Sequence, residues 1–202
     1  MDGIRVHPGA ALAGLLAATL LLVLPSANRD RPAPAPVVPP VAAPQEPVAA
    51  APTPGELLAA RRLVVPVQGV ARTRVRDTYE ACRSLGRKHR AIDIMAPWGT
   101  PVLAADDGRV EKIARNRSGG LTVYQVDGSG RFVYYYAHFA GYTDDLREGQ
   151  RVRRGDVIGY VGTTGNAAEN APHLHFQVLL LAEGRRWWGG EPVNPFAALT
   201  QD

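Results

Sequence analysis

The chain has 202 residues, one cysteine, five histidines and a formal net charge of +4. A single cysteine excludes an intrachain disulfide, so cysteine usage leaves the redox compartment open. The basic excess is mostly arginine scattered along the chain, which reads as solvated surface and also suits an anionic polymer such as nucleic acid or a bacterial cell wall. No helix-turn-helix, zinc-finger or RNP pattern supports nucleic acid as a partner.

The N-terminus, MDGIRVHPGAALAGLLAATLLLVLPSANRD, holds an apolar run over about residues 9–25 followed by small residues. We read residues 1–27 as a secretory signal peptide, or as a retained inner-membrane anchor, since a span needs roughly 17–25 residues. No cysteine follows the run, so N-terminal lipidation is excluded. Residues 28–54 contain nine prolines among alanines and valines. Such a segment lacks backbone donors and favours extended polyproline II, a semi-stiff linker. Residues 55–202 are then the folded domain, opening with a short helix in GELLAARR.

From Leu63 onward, short β-branched or aromatic runs alternate with glycine-containing turns such as DDG, DGSG and TTGN. LTVYQV joined through DGSG to RFVYYYAHF is the clearest hairpin. No long amphipathic helix interrupts the series. The predicted fold class is all-β, largely antiparallel, in a sandwich or open barrel.

Within PHLHFQVLLL, strand alternation puts His173, His175, Gln177 and Leu179 on one face and Leu174, Phe176, Val178 and Leu180 on the other. The second face is core, and the first projects two imidazoles. In RKHRAIDIMAPWG, an extended reading places His89, Ala91 and Asp93 on one face, with Ile92 and Ile94 toward the core. In FVYYYAHF, the same rule groups Tyr134, Tyr136 and His138, which makes Tyr136 a groove-wall residue. Four of the five histidines thus lie in three strand-like stretches. His89, Asp93 and one of His173 and His175 form a two-histidine, one-carboxylate set that leaves a fourth position for water, the pattern of catalytic zinc. The remaining histidines are placed for proton transfer or oxyanion stabilisation.

Several motifs in order resemble the lysostaphin/LytM-type zinc endopeptidases, the family-23 metallopeptidases that cut peptidoglycan. HRAIDIMAPWGTPVLAADDGRV is similar to the family's H-x-x-x-D stretch and the segment after it. YYYAHF resembles its Y-x-H, and EGQRVRRGDVIGYVGTTGN its glycine-rich hairpin. PHLHFQV resembles its H-L-H-F, and PVNPFAAL its closing N-P. The resemblance covers about residues 63–197. It implies a largely antiparallel sheet with a narrow groove and a zinc ion held by His89, Asp93 and His175. It also implies that His138 and His173 are the non-ligand catalytic histidines. Peptidoglycan is the implied substrate, in the periplasm or cell envelope, and a monomer is expected. Ala91 stands where the family usually has glycine. The loop AAENAP, with Glu169 and Asn170, is expected to border the groove.

Three other readings compete. The family includes members that have lost ligands and activate other wall hydrolases, so a non-catalytic activator or wall-binding module is the main alternative. GDVIGYVG resembles hairpins of lipoyl- and biotin-carrier domains, but the turn region has arginines and no attachment lysine. Cys82 with His138 as base would make a cysteine peptidase. Trp187 and Trp188 are read as packing an edge or loop rather than stacking on glycan.

Overall fold

A computed structural model describes residues 50–83, 86–184 and 187–201. The expected signal or anchor and most of the linker lie outside these residues. Helix α1 spans Pro54–Ala59, shorter than the stretch expected from composition. Thr53 caps it: its hydroxyl accepts from the Glu56 amide at 3.3 Å, and Glu56 Oε2 accepts from the Thr53 amide at 2.7 Å. This capping box fixes the start of the helix, while Arg62, at φ 50°, turns the chain away after its end. A short C-terminal helix, α2, covers Phe196–Thr200. Arg72 ties this end to the rest by donating to the carbonyls of Leu199 at 2.6 Å and Leu63 at 3.0 Å.

Among the described residues nine strands form one antiparallel sheet: β1 Ile92–Met95, β2 Pro101–Leu103, β3 Gly108–Asn116, β4 Gly120–Asp127, β5 Phe132–Tyr142, β6 Arg151–Val152, β7 Val157–Val161, β8 His173–Leu180 and β9 Glu191–Val193. The main order is β1-β8-β5-β4-β3-β6; β7 pairs with both β2 and β5, and β9 pairs with β8. The sheet does not close into a barrel. The expected β4–β5 hairpin is present. Asp127 seats its turn, with Oδ1 accepting from the amides of Arg131 and Phe132, both at 2.9 Å.

Alternation in β8 holds: Leu174, Phe176 and Val178 are fully buried, and His173, His175 and Gln177 take the other face. Ile92 and Ile94 join the core as expected. Alternation fails in β5. Val123 pairs with Tyr136, but Leu121 pairs with Phe139, so β5 carries one extra residue over this interval. His138 sits there with φ 67°. This bulge reverses the faces beyond it. Tyr136 is therefore a core residue, not a groove wall, and His138 turns to the side shared by Tyr135 and Ala137.

Tyr136 replaces a groove role with a buried polar one. Its hydroxyl donates to Gln125 Oε1 at 2.6 Å and accepts from the Ala105 amide at 2.9 Å, while Gln125 Nε2 donates to the Asp106 carbonyl at 2.6 Å. Buried polar groups left without partners are costly, so this chain of bonds fixes β4, β5 and the Ala105–Asp106 turn together. Tyr136→Phe should lower unfolding free energy by about 1–3 kcal/mol, read by urea denaturation, while zinc bound per folded chain stays unchanged.

Candidate metal centre

Asp93 and His175 are direct partners in the β1–β8 ladder, and His175 pairs with Ala137 on β5. Cross-strand partners share a face, so the carboxylate and the imidazole meet over a floor kept open by an alanine. His89 arrives by another route. It precedes β1 in a narrow two-armed segment, where the His89 amide donates to the Ala81 carbonyl at 2.9 Å and the Arg90 amide to the Tyr79 carbonyl at 2.8 Å. Arg90, at φ 59°, then breaks the extended run. The expected single strand face through His89, Ala91 and Asp93 is therefore not formed. It could not have worked: four residues of straight strand span about 13 Å. The kink brings His89 Nε2 to 3.1 Å from Asp93 Oδ1. Ala91 is fully buried.

Three atoms close a near-equilateral triangle. His89 Nε2 lies 3.0 Å from His175 Nδ1, and Asp93 Oδ1 lies 3.1 Å from each of those nitrogens. His89 Nδ1 is 3.0 Å from the Thr78 carbonyl, which can only accept, so the ring proton sits on Nδ1 and Nε2 offers a lone pair. In that tautomer His89 Nε2, together with Asp93 Oδ1, turns two acceptors toward the third corner, His175 Nδ1. The set fits a cation. Tetrahedral zinc with N and O donors at about 2.0–2.1 Å spaces its ligand atoms roughly 3.3 Å apart, close to the edges seen here. His89, Asp93 and His175 are also the one group among the described residues whose ligand atoms converge in this way.

The charges agree. Burial pushes the Asp93 carboxyl up, but His175 and His89 beside it, when their rings carry the proton, outweigh that and hold the group well below the usual carboxylate range. Burial pushes His175 down, partly offset by Asp93. Arg83 forms an ion pair with Asp93 Oδ2, the oxygen outside the triangle.

His138 and His173 line the same cavity of about 560 Å³. His138 Nδ1 donates to the Thr164 carbonyl at 2.7 Å, and His173 Nδ1 donates to the Ala171 carbonyl at 2.8 Å. In its neutral form each ring then keeps its lone pair on Nε2. His173 Nε2 is 3.8 Å from Asp93 Oδ1, and the His138 ring centroid is 4.9 Å from that of His173. Burial lowers His138 to about 4, so the ring is neutral near pH 7. The five residues singled out in the sequence thus gather in one cavity.

A family model, peptidase family M23, matches residues 87–195. The chain belongs to peptidase family M23. It is 38% identical over 94 residues to peptidoglycan DD-endopeptidase ShyC of Vibrio cholerae, covering 46% of this chain and 21% of that protein. It is 35% identical over 124 residues to the L-Ala–D-Glu endopeptidase of Bacillus subtilis, covering 58% of this chain and 37% of that protein. The chain thus spans well under half the length of these two relatives. Among solved structures, the catalytic domain of lysostaphin from Staphylococcus simulans superposes with a TM-score of 0.52 at 26% identity, over 60% of this chain and 87% of that one.

This family 23 groove also contains residues that sequence reasoning missed. Tyr135, not Tyr136, lines it, and burial, then neighbouring Tyr124, pushes the phenol up to about 12, so it remains a protonated donor. Arg83, Arg87 and Lys88 line it too. The 166–171 loop borders it as expected, through Asn166, Ala167, Ala168 and Ala171, although Glu169 and Asn170 are not lining residues. Trp187 packs on Tyr124, ring centroids 4.8 Å apart, in line with the edge-packing expectation.

His138 depends on a glycine. Gly120, at φ 65°, lies so close to the Thr164–Gly165 backbone that a Cβ cannot fit. Thr164 in turn supplies the carbonyl that holds His138. Gly120→Ala should displace Thr164 and release the ring: long-range proton–nitrogen NMR should show a pure Nδ1–H tautomer for His138 in the wild type and a mixture in the variant.

Proposed function

We propose that the chain is a zinc-dependent endopeptidase that hydrolyses peptide bonds in the stem peptides or cross-links of bacterial peptidoglycan. The observation that carries this reading is the closed triangle of His89, Asp93 and His175 with two further histidines over it in one groove. Membership of family 23 and the endopeptidase names of the relatives support it.

His89, Asp93 and His175 hold the ion. When bound, zinc supplies a Lewis-acid charge that polarises the scissile carbonyl and makes water nucleophilic near neutral pH. The backbone carbonyls of Thr164 and Ala171 fix His138 and His173 as acceptors at Nε2. A ring so held can take a proton from the attacking water and return it to the leaving amine. Once protonated, it donates a hydrogen bond to the developing oxyanion. The two rings divide these tasks. Tyr135 adds a phenol donor to the groove wall.

The activator reading requires no proton-handling histidines, yet both positions are filled here, which favours catalysis. Cys82 is exposed and is not among the cavity-lining residues, so the cysteine-peptidase reading has no support. Among the described residues no helix is long and apolar enough to cross a membrane. Export of the domain, and any anchoring, rest on residues 1–27 in this proposal.

His138→Ala and His173→Ala should each keep about one zinc per chain and lose about 10²–10⁴-fold in kcat/KM on cross-linked muropeptides. His89→Ala and Asp93→Ala should lose both zinc and activity. Metal analysis alongside chromatography of released peptides checks all four. Loss of zinc in the His138 variant, or full activity without its ring, would overturn the assignment.

A further inference from the structure

The groove is charged on one side. Among the described lining residues its cations come from the segment just before β1: Arg83, Arg87 and Lys88. The wall segments at 118–119 and 166–168 carry no ionic side chain, and Asp93 is the one carboxylate among the described lining residues. Asp93 is already committed to His89, His175 and Arg83.

The three cations are not equally available. Arg83 is held on Asp93 Oδ2. Lys88 is drawn away toward Glu80, with Nζ 3.5 Å from Oε2 and 3.4 Å from the Glu80 carbonyl. The Arg87 side chain has no ion pair or hydrogen bond among the described residues and is exposed at the groove. Its backbone is nonetheless fixed. The Arg83 amide donates to the Arg87 carbonyl at 2.8 Å, and Cys82 bridges Lys88 in the next rung. The same two-armed segment delivers His89, two residues on, to the metal triangle. An unpaired guanidinium is thus held by the metal-binding frame at the edge of the reaction site. Guanidinium groups recognise carboxylates through paired, charge-assisted hydrogen bonds.

We infer that Arg87 reads a free carboxylate on the stem peptide beside the scissile bond, so that the groove prefers carboxylate-bearing peptides to amidated stems and to glycine bridges. This rests on the peptidase reading above and names the substrate class within it. A neutral bridge gives Arg87 nothing to pair with. Amidation of the stem removes the partner while leaving shape nearly unchanged.

The test uses the full zinc-loaded chain and one cross-linked muropeptide dimer in two forms, with free and with amidated carboxyl groups. Wild-type protein should cleave the free form with the higher kcat/KM. Arg87→Ala should cut that preference about tenfold to a hundredfold, and Arg87→Lys should keep part of it. The melting temperature should not move, because the Arg87 carbonyl, not its side chain, closes the segment. A second readout is calorimetric affinity of the zinc-loaded, inactive His138→Ala chain for a stem peptide. Arg87→Ala should weaken binding of the free form by a similar factor and leave the amidated form unaffected. Equal preference ratios in wild type and Arg87→Ala, with equal affinities, would overturn the inference. If the wild type cleaves neither dimer, the peptidase reading falls, and the affinity comparison alone decides the role of Arg87.

Discussion

Asp93 and His175 face each other across the β1–β8 ladder, and the remainder of the site is arranged around that pair. The register is the constraint. A slip of one residue would turn His175 into the core and bring Leu174 or Phe176 to the groove. The apolar face of β8 prevents this, because Leu174, Phe176 and Val178 are fully buried together. Hydrophobic burial on one side of the strand thus sets the position of the proposed ligand on the other. The next strand, β5, contributes Ala137 opposite His175, and so leaves the space above the pair open.

The groove achieves order through backbone carbonyls rather than through side-chain partners. Thr78, Thr164 and Ala171 each accept a ring proton from a histidine at Nδ1. Those three rings then offer Nε2. His175 is the exception and turns Nδ1 to the triangle. Fixing the tautomer and ring direction in this way prepares His89 as a proposed metal ligand, and His138 and His173 as proton acceptors, before a metal arrives. It also means that binding and folding are coupled, since the triangle brings acceptors together that only a cation or a proton can reconcile.

Much of this was legible in the residue pattern, and the exceptions share a cause. Alternation located the core face of β8 and the histidine face opposite. It failed at Tyr136 because the bulge at His138 adds a residue to β5, and no composition signal marks a histidine at φ 67°. It also misplaced the route of His89, because the left-handed turn at Arg90 is equally invisible in the string of residue types. Arg83, Arg87 and Lys88 read as scattered surface charge. Only the pairing of residues 79–83 with 87–90 shows that the segment lies along the groove. The proposed ligand set came from the family resemblance of the ordered motifs, since spacing left His173 and His175 as equal candidates.

Everything proposed for the groove depends on two imidazoles and one carboxylate holding a zinc ion. X-ray absorption at the zinc edge of the metal-loaded full chain tests it most directly. About one zinc per chain is expected, with a nearest shell of nitrogen and oxygen only and the multiple-scattering pattern of two imidazoles. A sulfur neighbour, which only Cys82 or a methionine could supply, or a shell without imidazole, would contradict it.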